Sequence, residues 1–318
     1  MNLTRTDERF AFFEGNYLPA FQYIDQGIIK YLGDKQNKQC RFCKKKSPET
    51  SFSNLAHAIP EFTGNKTLFS YYECDACNAK FSTLLESHMA NYMNLWHTFS
   101  QVKGKRGVPS FKTVNQKKSR VDIGSDHMNV QDHAGDEFAF IDEEAKTITF
   151  KANRASYFPI AFYKCLVKMA LTVMPETEIV HFSNTIEWIN EPDHNDSPFK
   201  INPLLVYYAY APGIHPFGWP SCGLFKRRIN HKEIVPYMFF LLNYGNFSFQ
   251  MHIPVCSMDE QFRGTPMKVA ELPTYLELNN DAGILARKKL DLSSTKLVKG
   301  EVETVVMGFE KLTENRAR

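Results

Sequence analysis

Two C-x-x-C pairs, Cys40 with Cys43 and Cys74 with Cys77, bracket a histidine in the stretch Ala56-His57-Ala58-Ile59-Pro60-Glu61. Four thiolates in two such knuckles suit a tetrahedral zinc ion with no coordination position left open, so a structural metal is expected. Redox-active thiols are the competing reading, but the lysine-rich flanks of the first pair give no thioredoxin-like context. His57 offers something different. A neutral imidazole titrates near pH 7 and can take a proton from water. A histidine between the knuckles and an asparagine, Asn78, directly after the second suit chemistry on a phosphodiester.

These residues need elements to hold them. Residues 51–77 contain a short apolar stretch, then His57, a Gly64-Asn65 turn signal and a strand-like run from Leu68 to Tyr72. After Cys77, apolar residues recur at three- and four-residue steps (Phe81, Leu84, Leu85, Met89, Tyr92, Leu95), which predicts a helix. Upstream, aromatic and aliphatic residues from Phe12 to Tyr31 read as a helical or partly helical lead-in packing on the zinc module. Residues 101–120 carry seven basic and no acidic side chains, with two glycines and a proline, and read as a linker able to contact phosphates.

Further along, Phe138–Ile141 and Thr147–Lys151 read as a hairpin through an acidic turn. Pro159 opens an apolar helix, Ile160 to Met174, that Pro175 closes; it is apolar nearly all round and should be central and buried. Strand-like runs follow at Leu204–Ala211, Cys222–Arg228, Tyr237–Leu242 and Phe247–Val255, the last two joined by Asn243-Tyr244-Gly245-Asn246. Tyr207, Tyr208, Tyr210 and Phe217-Gly218-Trp219 read as strand and core packing, with base stacking as the alternative. Lys226-Arg227-Arg228 is the clearest basic cluster of this half and a candidate DNA contact.

The pattern Cys40-x2-Cys43, Ala56-His57-Ala58-Ile59-Pro60-Glu61, Cys74-x2-Cys77-Asn78-x2-Phe81 and Glu86 resembles the zinc-bearing branch of the HNH endonucleases, the ββα-metal or His-Me finger nucleases. The likeness covers about residues 38–95. It implies a small zinc-stabilised ββα-metal nuclease module, residues 1–105. The patterning of the rest adds a basic linker, 106–135, and a larger α+β domain with a mainly antiparallel sheet, 136–318, so an α+β protein is expected; by analogy with multidomain relatives the second domain would serve regulation or target recognition. By the same resemblance His57 is the general base and Asn78 holds the hairpin loop that carries it. A catalytic divalent ion, magnesium, would bind the scissile phosphate. Many relatives place Asp, Glu or His before the catalytic histidine as a metal ligand, where this chain has Ala56. Glu61 and Glu86 are then the favoured ligands, ahead of Asp75, Asn54 and His88.

Composition bounds this reading. The 318 residues are 43% hydrophobic with 26 Phe and 14 Tyr, which excludes a disordered chain. No long apolar run predicts a membrane span, and Met1 to Arg5 begins no apolar signal core, so a cytoplasmic protein with reduced thiols is expected. Cys165, Cys222 and Cys256 sit in apolar contexts and read as core residues. The net charge is +3, yet residues 1–120 hold 18 Lys/Arg against 10 Asp/Glu. That imbalance points to a polyanion, DNA, as partner of the first half. A small-molecule or protein activator acting through the second half, and a homo-oligomer, are compatible with the sequence. An endonuclease of bacterial restriction or antiphage defence is the leading reading. A non-catalytic zinc module that binds nucleic acid is the alternative, and a protein–protein scaffold the third.

Overall fold

The computed structural model describes residues 5–113, 119–124, 127–133, 136–194, 203–279 and 283–313. The fold is α+β, and among the described residues its strand pairs are antiparallel except for β2 with β4 below. The chain opens with helix α1, Thr6–Asn16, followed by strand β1, Tyr17–Ile24. The lead-in is therefore helical only in its first part. Residues 17–24 pair with a strand of the second half, and Phe13 packs on Tyr17 and Phe239.

A three-stranded sheet in the order β2-β4-β3 then carries the histidine: β2, Lys30–Leu32; β3, Ala56–His57; β4, Leu68–Ser70. Helix α2, Asp75–Phe81, starts directly after Cys74. A π turn, Ser82–Glu86, joins it to α3, Ser87–Phe99. The extra residue of a π turn rotates the following helix face, and Phe81, Leu85, Met89 and Met93 are all fully buried along this run.

Residues 106–135, expected as a basic linker, carry three short strands in one sheet: β5, Phe111–Lys112; β6, Arg120–Ile123; β7, Met128–Gln131. Phe111 and Val121 are the cause. They pack with Leu95 of α3 and with Phe138 and Phe150 in a separate small core. The predicted hairpin follows as β8, Ala139–Asp142, and β9, Thr147–Asn153.

The apolar helix is α4, Pro159–Val173, and all fifteen of its residues are buried. Its setting explains why. Short helices α5, Glu176–Ile179, and α6, Ser183–Asn190, come next. Then comes the main sheet: β10, Leu205–Tyr210; β11, Ser221–Arg227; β12, Met238–Tyr244; β13, Phe247–His252. After the short helix α7, Tyr275–Leu278, strand β14, Ala286–Asp291, completes the order β1-β11-β12-β13-β10-β14. The predicted β12–β13 turn tightens to Gly245-Asn246, with Gly245 at φ +54°, where a side chain is disfavoured. Finally β15, Val302–Gly308, pairs antiparallel with β9.

One hydrophobic core joins the zinc-knuckle residues, α4 and the inner face of the main sheet. Arg41, inside the first knuckle, donates through Nη1 to the carbonyl oxygens of Leu171, Thr172 and Met174, at 2.6, 3.1 and 2.8 Å. These lie at the C-terminal end of α4, where unsatisfied carbonyls carry partial negative charge. The same guanidinium lies over the Tyr72 ring at 3.7 Å and pairs with Glu176 at 2.7 Å. Tyr207 and Tyr208 are buried core residues. The basic cluster is engaged within the chain: Lys226 with Glu178, Arg227 with Asp259, and Arg228 with the Glu14 carbonyl. No helix among the described residues is long and apolar enough to cross a membrane.

Candidate functional site

The four cysteines converge. Their sulfur atoms all lie within 4.8 Å of one another, Cys43 and Cys74 at 3.7 Å, and none is in a disulfide. A zinc–sulfur bond of ~2.3 Å implies a tetrahedron edge of ~3.8 Å, so the thiol set fits a structural zinc. Local sequence makes this possible. The first knuckle closes with the Lys44 amide donating to the Cys40 carbonyl, Lys44 taking a positive φ of 63°. The second knuckle straddles the start of α2, and Phe42 packs edge-on against Phe81 at 4.9 Å.

His57 ends β3, and its hairpin lies between the knuckles. Strand alternation puts Ala56 and Ala58 into the core, 1% and 0% exposed, and leaves His57 on the other face. Position 56 thus faces away from the imidazole, which accounts for a small apolar residue there. Nε2 of His57 faces the Glu61 carboxylate at 3.8 Å, and Nδ1 is shielded from solvent and has no hydrogen-bond partner. Burial lowers the His57 pKa from its ordinary 6.5; the charges of Glu61 and Glu86 act to raise it, those of Lys66 and Lys168 to lower it. Burial therefore favours the neutral ring.

Between β3 and β4 the loop is fixed by a residue that the sequence marked only as part of a turn. Asn65 is fully buried. Its side-chain nitrogen donates to the carbonyls of Ile59 and Leu68, at 2.6 and 2.9 Å, and its oxygen accepts from the amides of Thr67 and Leu68. Gly64 beside it sits at φ +94°, which favours glycine. Asn78, expected to hold this loop, lies half-buried in α2. Its side chain makes no hydrogen bond to the loop among the described residues. Gly64-Asn65 was the available signal: a buried asparagine can hold a loop with both its donor and its acceptor.

The other candidates separate. Glu61 begins a short 3-10 turn, Glu61–Thr63, and is ion-paired to Lys66. Asp75 is consumed by the 51–54 loop. It accepts from the Ser51 hydroxyl and the Ser53 and Asn54 amides, and the Ser51 bond leads in holding its pKa down to about 2. His88 turns toward Phe158 and His194. Glu86, at the end of the π turn, binds Lys168 of α4 at 3.2 Å. Among the described residues the four cysteines are the one group of three or more His, Cys, Asp or Glu side chains whose donor atoms lie together.

Lys168 is the residue that sequence reading missed. It lies fully buried and bridges Glu86 to Glu73, also fully buried, at 2.9 Å. An apolar helix gives no sign that one of its lysines serves carboxylates on a neighbouring element. Burial drives the Glu73 pKa up to about 7 while Lys168 acts to lower it. Burial would lower Lys168, but the two carboxylates outweigh it and raise its pKa. Lys168→Met is expected to cost about 3–5 kcal/mol, because a buried carboxylate loses its counter-charge. Glu73→Gln in the same chain should recover much of the loss. A group with a raised folded pKa contributes most below its unfolded value and loses that as pH rises through the folded one. The Lys168→Met defect should therefore be smaller at pH 5.5 than at pH 8 in urea unfolding.

Residues 40–94 match the family model described as HNH endonuclease. That segment spans both knuckles, the histidine hairpin and most of α3, so the resemblance read from the cysteine–histidine pattern is borne out there, and residues 40–94 are similar to the HNH endonuclease family. No curated protein and no solved structure matches the chain.

Proposed function

We propose that the protein is a metal-dependent endonuclease that hydrolyses DNA phosphodiester bonds, with His57 as general base. The observation that carries this is the His57 imidazole itself. Burial favours its neutral form, its Nδ1 is shielded from solvent without a hydrogen-bond partner, and its Nε2 faces the Glu61 carboxylate. Nε2 is the ring nitrogen that would accept the proton of the attacking water. Glu86 and Glu61 are the proposed oxygen donors to magnesium, and Asn78 a further site residue. Magnesium commonly binds through one or two carboxylates plus substrate phosphates, which suits residues that form no closed cluster of their own. The bound ion would polarise the phosphate and stabilise the leaving oxygen. Residues 136–318 are proposed as a recognition or regulatory unit that acts on the site through α4, whose Lys168 reaches Glu86. A role in bacterial restriction or antiphage defence follows by analogy with multidomain HNH proteins.

The test is nicking of supercoiled plasmid by the full chain. Magnesium-dependent nicking is expected. The alternative, a non-catalytic zinc module that binds nucleic acid, is motivated by Ala56 directly before His57 and by the 18 Lys/Arg against 10 Asp/Glu of residues 1–120. It predicts binding that weakens steeply with salt and no cleavage with magnesium, manganese or calcium.

A further inference from the structure

Three rings stand in register across the small sheet. Tyr31, Phe69 and His57 are cross-strand partners on β2, β4 and β3. Phe69 lies 4.6 Å from His57 and 5.9 Å from Tyr31, stacked on the latter at 26°. Tyr71, two residues beyond Phe69, stacks on Tyr31 at 5.5 Å and 12°. The Lys38 ammonium sits 5.1 Å from the Tyr71 ring centroid. The result is a row of π-faces that begins at the candidate base and ends under a cation. These rings are not core. The core side of the strands holds Ala56 and Leu68, whereas Tyr31 is 48% exposed and Phe69 and Tyr71 are half-buried.

Single exposed apolar residues need no explanation, but a stacked series beside a catalytic candidate does. Its surroundings narrow the occupant. Lys38 covers the far end of the row, while Lys30, next to Tyr31 on β2, turns to the opposite face over Phe21 and Tyr23. A cavity of about 180 Å³ opens beside Tyr31 and Tyr71, with Lys38, Phe52, Ser53, Asn54 and Glu73 among its walls. It is smaller than the ~300 Å³ typical of pockets for drug-sized ligands. Flat rings, amide and hydroxyl groups and the Lys38 ammonium match a nucleobase attached to a phosphodiester chain. A base within a duplex has both faces covered by its neighbours, so only an unpaired base can use such a row.

We infer that the Tyr31–Phe69–Tyr71 row stacks unpaired nucleobases next to the phosphate attacked by the water that His57 activates, and that the enzyme prefers single-stranded or locally unpaired DNA. This rests on the nuclease reading for its position, but binding tests it independently. The full chain, without added divalent cation, is titrated with a single-stranded oligonucleotide, a perfect duplex and a duplex with a three-nucleotide bulge carrying 2-aminopurine. The wild type should favour the single strand and the bulge and quench the 2-aminopurine. Tyr31→Ala and Tyr71→Ala should each weaken those two complexes roughly tenfold and leave duplex affinity unchanged, since stacking on one ring has about that effect. Tyr31→Phe should keep the preference. Zinc content and melting temperature check that the variants are folded. An equal loss on all three probes, or none, overturns the stacking site, as does a wild type that binds the duplex as well as the single strand. If plasmid nicking fails while the unpaired preference stands, the nuclease reading falls and the stacking site does not.

Discussion

A Cys74→Ser variant is expected to purify without stoichiometric zinc and to unfold well below the wild type. Structural zinc sites in small domains are worth about 10–16 kcal/mol in apparent binding free energy at pH 7. That rivals the whole stability of a typical protein, about 5–15 kcal/mol. The loss here should be smaller than the full zinc term, because packing also holds the module. Phe42 lies against Phe81, and Asn190 of α6 donates to the Phe42 carbonyl at 3.2 Å. The loss should nevertheless spread beyond the knuckles. Arg41 follows Cys40 directly and supplies the hydrogen bonds that cap the C-terminal end of α4. Freeing the knuckle withdraws that cap from a helix buried along its whole length. The measurement is zinc by atomic emission together with thermal unfolding, with a chelator-treated wild type reproducing the variant. A metal-free wild type, or a Cys74→Ser protein with an unchanged melting temperature, would exclude a structural role for zinc.

The zinc knuckles were legible because their chemistry is local: four cysteines at fixed spacing admit few uses in a reduced chain. The buried helix α4 was legible because an apolar pattern that covers every face has few homes outside a core. What escaped was tertiary. Residues 17–24 read as the tail of a helix, but they add an edge strand to a sheet whose other strands come from the second half. Phe111 and Val121 were hidden among basic neighbours, and the charge read as a linker. Lys168 was counted on an apolar helix, and only the fold brings it to Glu73 and Glu86. Asn65 was seen as punctuation for a turn, yet it makes the four hydrogen bonds that shape the loop after His57. In each case side-chain type was readable and partner was not, because the partner lies on another element.

His57→Ala is expected to cut the rate of magnesium-dependent cleavage by about 10²–10⁴-fold, the usual share of a positioned general base. DNA binding in the absence of divalent cation should change little, since burial favours the neutral imidazole, which supplies no phosphate-binding charge. The pH profile separates this base from other groups. Only the deprotonated imidazole can accept a proton, so the rate should rise with pH through the His57 pKa and then level. Burial sets that pKa below 6.5, against the opposing pull of the Glu61 carboxylate. Glu61→Gln removes an anion that stabilises the imidazolium as well as a proposed magnesium donor, so at saturating magnesium its residual cleavage should show the acid limb at lower pH. Lys66→Met should move it the other way, because the ammonium disfavours the charged ring. A variant that merely loosened the loop would slow cleavage at every pH and leave the limb in place. If His57→Ala cleaves as fast as the wild type, or if neither charge substitution moves the acid limb, the proton is taken by another group and His57 is a structural residue of the hairpin.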